Sequence, residues 1–292
     1  MKILDGKIIN KEIIESLKKR IEKIKNSFNK TPYLAIINYY DNTPSSFYMN
    51  LKVKLCSKLG IETKIIKPEI NKGKSELLRI LKEIERDDNI DALMIERPLP
   101  SGFDDMEFWD NIPYKKDVDC LSSINNGRLY INKNIKEILE RKFFSPCTAL
   151  AVIKILEKYE IDVSHKKSAV IGRSPVVGKP LAHMLSCTDS TVTLCHSKTK
   201  DIETHIKEAD LVFLAIGKAK WLKKDMIGDN QIIIDIGTNL DEKGSICGDA
   251  DFEDVKEKAA YITPVPGGVG PVTLALLIEN TVIACQNKLE GL

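Results

Sequence analysis

Tyr48 and Lys52, in the stretch "SSFYMNLKVK", are spaced to do chemistry together: on a helix, residues four apart share a face. Met49, Leu51, Val53, Leu55, Cys56 and Leu59 make the apolar arc of that helix, and Lys52 falls inside it. Asn50, Lys54, Ser57 and Lys58 fall on the opposite side. A lysine in such an arc has two readings. It is a snorkelling side chain whose stem packs and whose head reaches water, or it borders a ligand cleft, where partial desolvation eases proton exchange.

Two glycine-rich stretches add binding chemistry. "AVIGRSPVVGKP" is an apolar strand followed by Gly172, Arg173, Ser174 and Gly178, with Pro180 suited to a first helical turn. Glycines after a strand let backbone amides approach phosphates at the positive end of the next helix. The spacing is not GxGxxG, so an ordinary tight turn is the competing reading. The following strand, "TVTLC", ends in His196, Ser197, Lys198 and Thr199, where an NAD enzyme would carry a ribose-binding acid. With Arg173 and Ser197 present and no carboxylate, the 2′-phosphate of NADP fits better than NAD. Near the end, "ITPVPGGVGPVT" gathers Pro264, Pro266, Gly267, Gly268, Gly270 and Pro271. That is a thin-walled loop on which a flat ring could lie, or an interdomain hinge.

The elements that must position these residues alternate. "KEIIESLKKRIEKIKNSF" is amphipathic, "YLAIINYY" is a strand, and the Lys52 helix stops at Gly60. A strand "ETKIIKP", a helix "KSELLRILKEIERD" and a strand "DALMIERPLP" follow. The pattern restarts near 143–150 with a helix and strands near 168–172, 191–195, 210–216 and 231–236. This βα alternation predicts an α/β chain with mostly parallel sheets. The expected division is a domain over 1–148, joined by a returning helix over 272–292, and a Rossmann-like domain over 149–271. The 292 residues suit two domains.

Composition narrows the class. Forty-four Lys plus Arg against 42 Asp plus Glu give a net +2, so no nucleic-acid footprint is expected. Seven Cys without a CxxC pair, and no apolar leader, point to a reducing cytoplasm and to no metal site. No run approaches the ~18 apolar residues that span a bilayer, so no membrane partner is expected.

Four blocks together carry a resemblance: "SSFYMNLKVKLCSKLG", "KKDVDCLSSINNGRL", "VIGRSPVVGKPLAHMLS…STVTLCHSKT" and "YITPVPGGVGPVTLALLIENT". The chain resembles the bifunctional methylenetetrahydrofolate dehydrogenase/methenyltetrahydrofolate cyclohydrolase family over nearly its whole length. The resemblance implies a homodimer of two-domain chains, with folate in a cleft between an N-terminal domain and an NADP-binding Rossmann domain. It implies hydride transfer from methylenetetrahydrofolate to NADP⁺, then hydrolysis to formyltetrahydrofolate, within one-carbon metabolism and purine biosynthesis. It makes Lys52 the catalytic lysine, Tyr48 its partner stacked on the folate, and Asp119 the acceptor for pterin N–H groups. It places Pro266, Gly267 and Gly268 against the substrate, and Gly172, Arg173, Ser174, Gly178, Ser197 and Thr238 against the cofactor.

The chain departs from the family pattern at four places. "VQLPLP" reads "IERPLP", so Glu96 replaces Gln and Arg97 replaces Leu. Cys120 replaces the Gly after "KDVD", Ala149 and Ala151 replace a Pro and a Gly, and "VGIN" reads "IGTN" with Thr238. The last three read as packing changes. Glu96 puts a carboxylate beside Lys52, which makes it a third catalytic candidate and predicts weakened hydrolysis. The competing readings are a dehydrogenase without cyclohydrolase activity, a shikimate- or amino-acid-dehydrogenase-like enzyme, and a nucleotide sensor that keeps the fold.

Overall fold

The computed structural model describes residues 1–41, 44–140 and 143–291, of which 44–48 are described by backbone alone. The elements run β1 (Lys2–Ile3), α1 (Gly6–Phe28), β2 (Tyr33–Ile37), α2 (Pro44–Leu59), β3 (Glu62–Ile66), α3 (Gly73–Arg86) and β4 (Ala92–Ile95). Then come α4 (Met106–Asn111), α5 (Ser123–Ile131), α6 (Ile135–Leu139), α7 (Cys147–Lys158), β5 (Lys167–Ile171), α8 (Gly178–Ser186), β6 (Thr191–Cys195) and α9 (Ile202–Lys207). The chain closes with β7 (Leu211–Leu214), β8 (Ile232–Asp235), β9 (Asn239–Leu240), β10 (Ile246–Cys247), α10 (Phe252–Val255), β11 (Tyr261–Ile262) and α11 (Val269–Leu289).

The chain forms two compact units. One comprises Glu12–Leu129, Phe143–Ser145 and Ala275–Leu292; the other comprises Met1–Lys11, Tyr130–Lys142 and Pro146–Leu274. This differs from a division at residue 148. Residues 1–11 belong with the later sheet because β1 pairs parallel with β11, Ile3 opposite Ile262. Residues 130–142 go with them: the Ile135 amide donates to the Cys187 carbonyl, and the Tyr130 ring packs 4.9 Å from that of His183. The returning helix is α11, 21 residues long and apolar enough by length and composition to cross a membrane. Val272, Leu276, Ile278, Val282 and Cys285 on it are nevertheless buried in protein.

In the unit containing Lys52 the sheet order is β3-β2-β4, all parallel. Residues Leu34 to Ile37 of β2 are fully buried, as expected for a parallel strand covered on both faces. α3 buries Leu77, Ile80, Leu81 and Ile84, one stripe at helical spacing. Beyond β4 the chain adds a bridge, Leu93 to Asp117. Lys116 reaches back from it to the Ile84 and Asp87 carbonyls at 2.6 and 2.7 Å, satisfying acceptors at the end of α3.

The other unit holds a six-stranded sheet ordered β1-β11-β8-β7-β5-β6. Its strand order reverses between β5 and β7, a switch point at which α/β sheets bind ligands beyond the strand ends. Ala169, Ile171, Val212, Leu214, Ile233 and Ile262 supply much of its core.

Candidate functional site

Lys52 lies on α2, the helix that follows β2. The inward face of α2 is Met49, Lys52, Cys56 and Leu59, while Leu51, expected inside, is 36% exposed. Lys52 thus lies within the buried stripe. Its Nζ donates to Glu96 Oε1 at 2.7 Å, with the two side chains only 13% and 6% exposed. Glu96 is placed by the sheet: it follows β4 directly, and its amide donates to the Ile37 carbonyl of β2. Arg97 does not neutralise Glu96. It is ion-paired with Asp104 and lies 5.8 Å from the Trp109 ring centroid. The Tyr48 side chain lies outside the described residues.

Asp119 reaches the same edge of this sheet. It follows Asp117 by two residues, as Ile95 follows Leu93 across the bridge, so half-buried Asp119 stands level with the end of β4. Sequence reading missed Asp117, which builds this turn. Its Oδ1 accepts from the Leu121 amide, and its Oδ2 from the Ser122 amide and Asn125 Nδ2, all at 2.8–2.9 Å. Burial pushes the Asp117 carboxyl above the usual carboxylate range, against those hydrogen bonds. Cys120 next to Asp119 has φ 58°, in the left-handed region. It is therefore not a simple packing change: a side chain sits in a backbone conformation that favours glycine, at about 1–2 kcal/mol. Ala149 and Ala151 are fully buried in α7, a packing role.

The phosphate loop lies in the other unit. Gly172, at φ 121°, follows β5, and a Cβ there would stand 2.2 Å from the Ala215 carbonyl oxygen. A Cβ on Gly178 would stand 1.9 Å from the Gly172 oxygen. Both positions are closed to any side chain, which leaves a bare backbone cradle at the start of α8 for a phosphate. Ser174 is exposed in this loop, and its Oγ accepts from the Val177 amide at 3.1 Å just before α8. Arg173 and Ser197 are exposed at the ends of adjacent strands β5 and β6. No carboxylate follows β6 before Asp201. The donor set fits a dinucleotide with an additional phosphate.

Thr238 is exposed on the loop after β8. That loop is tied down by two buried acids that the sequence reading missed. Asp249 accepts from the amides of Ile216, Gly217 and Lys218 and from Asn239 Nδ2 at 2.7–3.2 Å. Asp235 accepts from the amides of Gly237, Asp249 and Ala250 at 2.8–3.1 Å. Burial pushes the Asp235 carboxyl up to about 7, the amide donors and nearby Asp249 being smaller influences. The available signal was an aspartate ending an apolar strand, "IIID", and a second in "GDAD".

The glycine turn shares this unit. The Gly6 amide donates to the Gly267 carbonyl at 2.9 Å, and a Cβ on Gly6 would stand 1.9 Å from the Gly268 oxygen. Pro266 is exposed, whereas Gly267 and Gly268 are buried against the N-terminal segment. The turn is rigidly seated, as a platform for a ring requires.

Residues 4–119 match the catalytic domain, and 146–289 the NAD(P)-binding domain, described as tetrahydrofolate dehydrogenase/cyclohydrolase. The chain is 42% identical to the bifunctional protein FolD of Elusimicrobium minutum, over 98% of this chain and 100% of that one. It is similar to the crystal structure of the bifunctional FolD dehydrogenase/cyclohydrolase from Campylobacter jejuni, with TM-score 0.90, 38% identity and 99% of each chain covered. It is also similar to the Trypanosoma brucei enzyme complexed with NADP cofactor and inhibitor, with TM-score 0.89, 30% identity and 98% of each chain covered.

Proposed function

The chain belongs to the tetrahydrofolate dehydrogenase/cyclohydrolase family, and on that premise we propose that it oxidises methylenetetrahydrofolate with NADP⁺ and hydrolyses the methenyl product only slowly. NADP⁺ supplies the hydride acceptor. Gly172, Gly178 and the start of α8 would hold its phosphates, Arg173 and Ser197 its 2′-phosphate, and Thr238 the nicotinamide side. Asp119 would accept the pterin N–H donors, for which a two-oxygen carboxylate suits.

The observation carrying the slow second step is the Lys52–Glu96 pair at 2.7 Å. Hydride departure leaves a methenyl cation between two substrate nitrogens, so it needs positioning and a compatible charge rather than a base. A net-neutral Lys52–Glu96 pair tolerates that cation better than an isolated ammonium would. Hydrolysis differs. Water adding to the cationic carbon must lose a proton, and ring opening must return one to a substrate nitrogen. An ammonium tied to a carboxylate has no lone pair for the first of these transfers.

The same geometry supports a second reading, in which Glu96 itself accepts the water proton and Lys52 orients it. One assay series separates them: methylenetetrahydrofolate oxidation with NADP⁺ or NAD⁺, then hydrolysis of methenyltetrahydrofolate added directly. Accumulation of the methenyl compound supports the first reading, and coupled turnover without accumulation supports the second. The proposal extends to a homodimer that supplies formyl groups to purine biosynthesis, supported by the family resemblance alone.

A further inference from the structure

We infer that Tyr39 and Arg97 form a carboxylate subsite for the glutamyl tail of the folate substrate, an inference that rests on the folate reading above. The two residues leave neighbouring parallel strands at the same step. Ile37 of β2 is in register with Ile95 of β4, and Tyr39 and Arg97 each follow by two residues. Glu96, the partner of Lys52, lies between Ile95 and Arg97, so the subsite adjoins the catalytic pair.

Tyr39 Oη and Arg97 Nη1 are both buried, and among the described residues neither has a hydrogen-bond partner. Burial pushes the Tyr39 phenol up to about 12, with Glu76 adding to the effect, so its hydroxyl stays a donor. Two buried donors without acceptors, on residues that leave neighbouring strands at the same step, call for a ligand that brings acceptors. A carboxylate supplies two oxygens, and a guanidinium recognises it through paired N–H groups.

The surroundings suit the part of folate that precedes its carboxylates, an aromatic amide. The Tyr39 ring meets Phe103 edge-on at 5.9 Å, and the Arg97 guanidinium lies over Trp109. Arg97 Nη2 already holds one carboxylate, that of Asp104, which also accepts from Trp109 Nε1 at 2.8 Å. The Arg97 and Asp104 side chains are 27% and 35% exposed, so a substrate carboxylate can compete for the guanidinium. Asp104 thus holds Nη2 and leaves Nη1 as the donor for the tail carboxylate. The leucine of the family pattern has no donor to offer there.

The test uses the methylene derivatives of tetrahydropteroate, which lacks glutamate, of tetrahydrofolate, and of its triglutamate. Wild type and the variants Arg97→Leu and Tyr39→Phe are assayed with NADP⁺. Arg97→Leu should raise KM for both glutamate-bearing substrates about tenfold, the scale of one charge-assisted contact, with kcat retained. Its KM for the pteroate should stay within about twofold. Tyr39→Phe should show the same selectivity with a smaller rise. An equal KM rise for the pteroate, or no rise for any substrate, overturns the subsite. Failure of the wild type to turn over all three overturns the folate reading instead.

Discussion

Glu96→Gln should increase methenyltetrahydrofolate hydrolysis by about ten- to a hundredfold while leaving the dehydrogenase step within a few-fold. The substitution preserves shape and one hydrogen bond, so no cavity opens beside Lys52. It removes a negative charge 2.7 Å from an ammonium that is 13% exposed. A hydrogen bond to a charged group contributes about 1.5–3 kcal/mol, and each 1.4 kcal/mol or so is tenfold in rate. That is the range by which the pair now hinders Lys52 from taking a proton from water. The variant should also lose stability, because separating a buried pair leaves one charge uncompensated, up to about 3–5 kcal/mol. The assay follows the methenyl chromophore under two conditions: accumulation during NADP⁺-dependent oxidation, and decay when the compound is added alone. If wild-type protein hydrolyses the methenyl compound as fast as it forms it, and Gln slows that decay, then Glu96 is the base and Lys52 is not held back by its partner.

Three other outcomes are expected. Arg173→Ala should raise KM for NADP⁺ by about ten- to a hundredfold, the loss of one charged contact, and change KM for NAD⁺ little; equal effects on both cofactors would remove Arg173 from the 2′-phosphate site. Asp119→Asn should weaken binding of a folate analogue by about 2 kcal/mol, the low end for a charged hydrogen-bond partner because the side chain is half-buried, and unchanged affinity in a titration would exclude Asp119. Asp235, held up to about 7 in the folded protein, binds more protons folded than unfolded between about pH 4 and 7. Its stabilising contribution is therefore complete below that window and lost as pH rises through it, by at most about 4 kcal/mol. Denaturant unfolding at several pH values should show that slope in the wild type minus Asp235→Asn difference, and a flat difference would refute it.

The alternation of strands and helices, the helix carrying Lys52, the glycine cradle and the absence of an acid directly after β6 were all legible in the amino-acid order. Each is written in local periodicity or in residues whose backbone properties are intrinsic, such as Gly172 and Gly178. The departure at Glu96 was equally legible, since it changes charge within a recognisable motif. Which groups meet was settled only by the folded chain. Glu96 is 44 residues from Lys52, and the parallel pairing of β2 with β4 puts them 2.7 Å apart. The loop after β4 turned Arg97 to Asp104 rather than to Glu96. The first eleven residues joined the later sheet because β1 had an open strand edge to complete at β11. For Asp117, Asp235 and Asp249 the sequence offered at most a position, as in "IIID" and "GDAD", and nothing of their task. An aspartate's type says nothing about burial, and their task of gathering backbone amides exists only after distant turns have been brought together. Cys120 shows the limit from the other side: its identity suggested packing, whereas its φ, fixed by the turn around Asp117, shows a backbone constraint that no residue type reveals.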